Sequence, residues 1–236
     1  MKKNVILIIG SIFLVLLLSW TVAAQEEPEV NSADEELANG DNKEVVLEQA
    51  DSIRYDAQNE VFIAQGGVVA IEGKSRIECE KLEFNLKENT GVFQEKVVVR
   101  RDKTEINSQI MRGDFDQDLY FFEGEVILRK EREEEDGTST IVWSAPSLTF
   151  EADTERAWSE GGVEIVWKDT SIQAQKAFYY PEDEESGEPE KIVLAGETLI
   201  SEADREIEAE GATYYLDSEV LEAEKVIRAT FQIEKK

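Results

Sequence analysis

An all-β fold, a solenoid-like trough with a V-shaped section built from stacked antiparallel hairpins, is what this sequence predicts, on three observations. Apolar and polar residues alternate with a period of two across most of residues 45–233, the mark of strands with one buried face. The same two-strand phrase recurs six times between residue 50 and the C-terminus. Beyond the first two dozen residues no stretch carries a helical period.

The chain begins with Lys2 and Lys3, an uncharged run Val5–Trp20, and small residues at Val22 and Ala24. This pattern predicts a secretory signal peptide over 1–24, cleaved after Ala24. The alternative is an uncleaved anchor, since Val5–Ala24 holds 20 uncharged residues, enough to span a bilayer. In either case the remainder is expected outside the cytoplasm. Gln25–Gln49 holds nine acids and one lysine, so residues 25–44 are expected to form an acidic flexible linker, with Val45–Leu47 opening the first strand. Residues 45–233 are then one β-domain.

The repeat aligns on a small residue, an apolar residue three further on, and another two beyond that. Its six copies are Ala50/Ile53/Tyr55, Cys79/Leu82/Phe84, Ser108/Met111/Gly113, Ala145/Leu148/Phe150, Ala174/Ala177/Tyr179 and Ala209/Ala212/Tyr214. Each is followed by a second pair: Gly66/Val68, Glu95/Val97, Gly124/Val126, Gly161/Val163, Gly196/Thr198 and Glu224/Val226. Successive copies lie 29, 29, 37, 29 and 35 residues apart. The two long spacings place polar inserts at Glu131–Thr140 and Glu182–Glu190, both expected as exposed loops. Inside several copies the apolar parity switches, as from Ile77 and Cys79 to Leu82 and Phe84. A strand cannot switch faces without a bulge or bend, so each first strand is expected to turn a corner near positions such as Glu80–Lys81. The second strands keep one clean face: Val97 and Val99, Val126 and Leu128, Val163, Ile165 and Trp167.

Composition removes several functions. With 25 basic and 53 acidic residues, the formal charge is −28, which repels nucleic acid. The same excess of acids invites a high-salt habitat, where screening relieves self-repulsion. There is no histidine and a single cysteine, Cys79, so neither an intramolecular disulfide nor a Cys/His metal site can be built. No catalytic residue and no cofactor are expected. Asp114, Asp116 and Asp118 alternate like the start of a calcium loop, but Leu119 stands at the required glycine, and a solvated turn is the expected reading. Cys79 occupies the small position of the repeat and is expected as a buried spacer. Trp143, Trp158 and Trp167 are expected in the core or the groove wall.

The phrase small-x-x-Leu-x-Phe/Tyr followed by Gly-x-Val resembles the OstA-like repeat. It is clearest in ADSIRYD with QGGVVAI, CEKLEFN with QEKVVVR, and APSLTFE with EGGVEIV. Departures are Gly113 at an aromatic position, Glu95 and Glu224 at glycine positions, and Thr198 at the valine position. The family includes the periplasmic lipopolysaccharide-transport proteins LptA and LptC and the N-terminal domain of LptD. The resemblance implies a twisted open β-jellyroll in the periplasm whose apolar groove holds acyl chains, with lipopolysaccharide or a similar amphiphile as ligand. It also implies other OstA-like proteins as partners in a bridge between inner and outer membranes, and head-to-tail homo-oligomers. A cleaved signal favours the LptA-like role, an anchor the LptC-like one.

On this reading the groove is lined by Leu82, Phe84, Val97, Val99, Met111, Val126, Leu128, Leu148, Phe150, Val163, Ile165 and Tyr179. A ligand-free structural β-solenoid of the envelope would show the same inward residues. The two differ in packing: a groove leaves Val97, Val99 and Leu128 facing unfilled space, and a scaffold packs them shut.

Overall fold

The structure, a computed structural model, describes residues 44–134, 137–183 and 185–232. The signal segment at 1–24 and the linker at 25–43 lie outside the described residues. Thirteen strands follow one another: β1 (Val45–Gln49), β2 (Ser52–Asp56), β3 (Val61–Glu72), β4 (Ser75–Asn85), β5 (Thr90–Arg101), β6 (Thr104–Asp114) and β7 (Leu119–Glu134). After these come β8 (Gly137–Glu151), β9 (Arg156–Trp167), β10 (Thr170–Tyr180), β11 (Lys191–Ser201), β12 (Arg205–Tyr215) and β13 (Val220–Phe231). They form one open antiparallel sheet in which each strand from β3 onward pairs with the next in sequence. Both β1 and β2 lie on β3, as two halves of a first strand broken at Ala50–Asp51.

Each long strand bends at its middle, and the repeat explains how. Between Gln94↔Ile110 and Val97↔Ser108 the pairing advances three residues on β5 against two on β6. On β5 the extra residue is taken up by Glu95 and Lys96 at φ 66° and 55°. On β4, β6 and β10 the inward parity switches at the same level, from Cys79 to Leu82, Ser108 to Met111 and Ala174 to Ala177. These bulges stack across the sheet as one crease. The recurrent glycine is therefore a left-handed corner, as at Gly66, Gly124, Gly161 and Gly196 (φ 80–87°). An L-residue there costs roughly 1–2 kcal/mol, which is the physical content of the departure at Glu95.

The crease divides every strand into two halves. One half-sheet ends in two-residue turns, at Gly73–Lys74, Asp102–Lys103 and Lys168–Asp169, with left-handed Gly73, Asp102 and Lys168. The other ends in four-residue loops at 57–60, 86–89, 115–118, 152–155 and 216–219. Short polar side chains shape these loops. Asp56 Oδ1 accepts from the Gln58 and Asn59 amides, Asn85 Oδ1 from Lys87 and Glu88, and Asp114 Oδ1 from Asp116 and Gln117. The first loop residue folds back onto the core, as with Leu86, Phe115, Ala152 and Leu216. Its amide donates to the end of the loop before it: Leu86 to Glu60, Phe115 to Asn89, Ala152 to Asp118. Asp114–Asp118 is thus a capped turn.

One of the two polar inserts is built otherwise than expected. Glu131–Glu134 and Gly137–Thr140 are not a loop but extend β7 and β8, paired from Glu131↔Thr140 to Glu134↔Gly137. Alternation continues through the charged residues, so the ladder simply runs on. The second insert is a loop pinned by the Asp183↔Glu188 bridge, and its last residue, Glu190, is buried.

Candidate functional site

The expected groove residues form one continuous inner surface. All of Leu82, Phe84, Val97, Val99, Met111, Val126, Leu128, Leu148, Phe150, Val163, Ile165 and Tyr179 lie between 0 and 7% exposed. Val97 is at 1%, Val99 at 7% and Leu128 at 5%. The two half-sheets are in contact, and a void between them near Leu128, Trp143, Phe150 and Tyr179 amounts to about 10 Å³. By the packing criterion, the interior of this structure is shut.

Other inner residues belong with these. Phe93, Phe115, Phe122, Trp143, Ile77 and Ile106 are as deeply buried. Phe62, Phe84, Phe115 and Tyr120 form a file of rings with successive centroids 5.3–5.5 Å apart. Phe115 explains the glycine at an aromatic position of the repeat. A Cβ on Gly113 would come within 2.9 Å of the Phe115 ring, so the loop supplies the ring that the strand omits. The signal was present: an apolar residue opens every four-residue loop. Of the tryptophans, Trp143 and Trp167 are core, whereas Trp158 is half-buried and shares its parity with the outward residues of β9. Cys79 is buried beside the Lys81 carbonyl, with Sγ 3.2 Å from the oxygen. Burial pushes its thiol up to about 11, so it stays protonated and unreactive near neutrality.

Opposite the crease, the turn row and the loop row meet, and among the described residues no strand crosses between them. Side chains alone close this mouth. Near its N-terminal end Tyr120, at the loop end of β7, donates to Glu72 at the turn end of β3 (3.0 Å). Burial, with the neighbouring carboxylate, raises the Tyr120 hydroxyl well above its ordinary range, so it acts as a fixed donor. Next, Lys130, just before the β7 extension, reaches Glu155 in a loop (3.3 Å) and lies 5.3 Å from the Tyr179 ring centre. Arg132 follows, bonding Glu190 through Nε (2.8 Å) and Nη2 (2.6 Å), and Asp217 through Nη2 (2.6 Å). The Tyr179 hydroxyl donates to the other oxygen of Glu190 (2.6 Å). Finally Lys168, in a turn, pairs with Glu219 in a loop (2.5 Å) and with Glu134 beside it (2.7 Å). Beneath them Trp167 meets Tyr214 edge to face, 5.6 Å between centres.

This seam was missed in the sequence because it joins residues 25 to 85 positions apart, and each looked like one more surface charge. A much roomier concavity, of about 1220 Å³, lies elsewhere, along the crease from β7 to β13. Its wall includes Ile127 and Leu199 but also Glu125, Glu164, Glu197 and Glu208. Among the described residues no cluster of acids or Cys79 is arranged to hold a metal ion.

The ends of the sheet are open edges. On β2, Ile53 and Tyr55 are 61% and 56% exposed; on β13, Val226 and Phe231 are 51% and 61% exposed. Ile53 and Val226 stand opposite buried Ala64 and Ala209, so the inner apolar surface runs out to both edges.

No protein-family model matches the sequence, and no curated protein matches it. Among solved structures the fold is similar to that of LptH, the LptA-homologous periplasmic component of the lipopolysaccharide transport device of Pseudomonas aeruginosa. The similarity covers 82% of this chain and 96% of that one, at 11% identity and a TM-score of 0.31. At that distance the likeness supplies no correspondence between residues.

Proposed function

We propose that this protein is a periplasmic carrier of acylated lipid, lipopolysaccharide or a similar amphiphile, which it holds between its two half-sheets. One observation carries the reading. Among the described residues a continuous apolar interior is joined by backbone only along the crease, while its opposite margin is closed by side chains. A solenoid coil closes around its core with main chain and cannot part without unfolding. Here the half-sheets can separate about the crease with every ladder intact. The motive is large: an acyl chain of roughly a dozen carbons costs on the order of 10 kcal/mol to expose to water. The apolar edges at β2 and β13 suit strand addition by OstA-like partners or further copies of the chain, stacked head to tail. An N-terminal signal, or an anchor in the inner membrane, supplies the location. No step of catalysis is assigned.

A second reading, a ligand-free structural module of the envelope, is favoured by one observation, the packed interior around Val97 and Leu128.

Trp143 and Trp167 lie inside and allow a direct test. A Trp20→Phe/Trp158→Phe variant of the full chain leaves only these two as reporters. Titration with a dibrominated long-chain fatty acid should quench their emission, and native mass spectrometry of protein from its own envelope should show co-purified acylated lipid. Unquenched emission with lipid-free protein establishes the scaffold instead.

A further inference from the structure

We propose that the row of ion pairs along the mouth is a lateral gate: Lys130, Arg132 and Lys168 latch the turn row onto Glu155, Glu190, Asp217 and Glu219 of the loop row, and an acyl chain enters sideways where they part. The proposal rests on the carrier reading for its ligand, but not for its mechanics.

Three features argue for a latch rather than ordinary surface charge. The first is placement. In a chain carrying 53 acids and 25 basic residues, three cations of the turn-row end of β7 and the β9–β10 turn each bridge to the opposite row. Adjacent pairs elsewhere, such as Arg76–Glu78 or Lys96–Glu80, lie within one face of the sheet. The second is position relative to the interior. The small void between the half-sheets is lined by Lys130, Glu155 and Tyr179 together with Leu128 and Trp143, so removing the Lys130–Glu155 pair uncovers the apolar core directly.

The third is that the closed mouth is not fully satisfied. The Nε groups of Arg101 and Arg205 are buried without a hydrogen-bond partner, and both residues stand at the turn-row ends of their strands. A buried donor without a partner opposes the state that buries it, so opening, which wets both groups, recovers part of what the broken pairs lose. Ion pairs suit such a gate because carboxylate and cation can each be re-solvated or re-paired in the open state. Packed apolar side chains could only be exposed.

The test uses the full chain with Cys79→Ser and cysteines at two exposed positions, Asp169→Cys in the turn row and Ser218→Cys in the loop row, which flank the Lys168–Glu219 pair. Joined by a short bismaleimide, the rows cannot separate. Pyrene-labelled dodecanoic acid should then load at least tenfold more slowly than into the unjoined protein, with an unchanged circular dichroism spectrum. Loading at equal rates places entry at the open ends of the sheet and overturns the gate.

Spin labels on the same cysteines read the mouth with no lipid present. Lys130→Met/Arg132→Met/Lys168→Met should lengthen and broaden the distance distribution by several ångströms; an unchanged distribution overturns the latch. If the unjoined protein takes up no probe at all, the carrier reading fails and the distance measurement alone decides whether the rows are latched.

Discussion

Replacing Arg132 by methionine isolates the strongest contact of the mouth. The Arg132 side chain is 10% exposed and that of Glu190 12%, whereas Asp217 is 54% exposed. Methionine keeps the apolar stem but removes the charge, and with it the guanidinium that lies 5.3 Å from the Trp167 ring centre. Glu190 then stays buried with Tyr179 as its remaining donor. Breaking one side of a buried pair costs about 3–5 kcal/mol, and an exposed pair such as Arg132–Asp217 adds at most about 1 kcal/mol. The mouth admits water from one side, so we expect a loss near 3 kcal/mol. At roughly 2–4 °C per kcal/mol for a domain of this size, Tm should fall by about 6–12 °C.

Urea unfolding of Arg132→Met, Glu190→Leu and the double variant completes a cycle. The double variant should recover most of the loss, because a matched apolar pair spares both desolvation penalties. A loss below about 1 kcal/mol for Arg132→Met, with no coupling in the cycle, would show the pair to be solvated and refute its role in closing the mouth.

The remaining predictions concern the core, the crease and titration. Phe115→Ala empties the position that Gly113 and Gly91 leave to its ring, so we expect about 3–5 kcal/mol of destabilisation by denaturant titration. Gly124→Ala sets a Cβ 2.6 Å from Gln109 Cγ at φ 81° and should cost about 1–2 kcal/mol, whereas Glu95→Gly should be neutral or stabilising by up to about 1 kcal/mol. Paired unfolding curves test the corner: equal signs for the two would contradict it. Hydrogen bonds from Lys168 and then Ser139 hold the Glu134 carboxyl below its ordinary 4.5. Its folded-state value is depressed, so its contribution is present above about pH 4.5 and is lost as pH falls through the lower folded value. Glu134→Gln should flatten that part of a melting series taken from pH 6 downward. With a formal charge of −28, Tm should rise from low to molar NaCl, and an invariant Tm would remove the case for a high-salt habitat.

What the sequence determined by itself was everything governed by local alternation. Period two made strands, the six-fold phrase made them a meander, and the parity switch at Glu80–Lys81 located a corner that the structure places between Glu78 and Lys81. Residues such as Leu82, Val97 and Ile165 could be assigned inward because a side chain on a pleated strand has only two directions to point. Phe115 was legible in principle, as the apolar opening of a recurrent loop, but a turn of alternating aspartates hid it.

Only the tertiary structure decided how far the two half-sheets stand apart, and it brings them into contact. Alternation fixes which face is buried without fixing what buries it: a lipid and the opposite half-sheet satisfy Val97 and Leu128 equally. The mouth was undecidable for a related reason. Arg132, Glu190 and Asp217 are unremarkable charges until the crease brings the two ends of bent strands together, and which carboxylate among 53 acids meets which cation depends on distance alone.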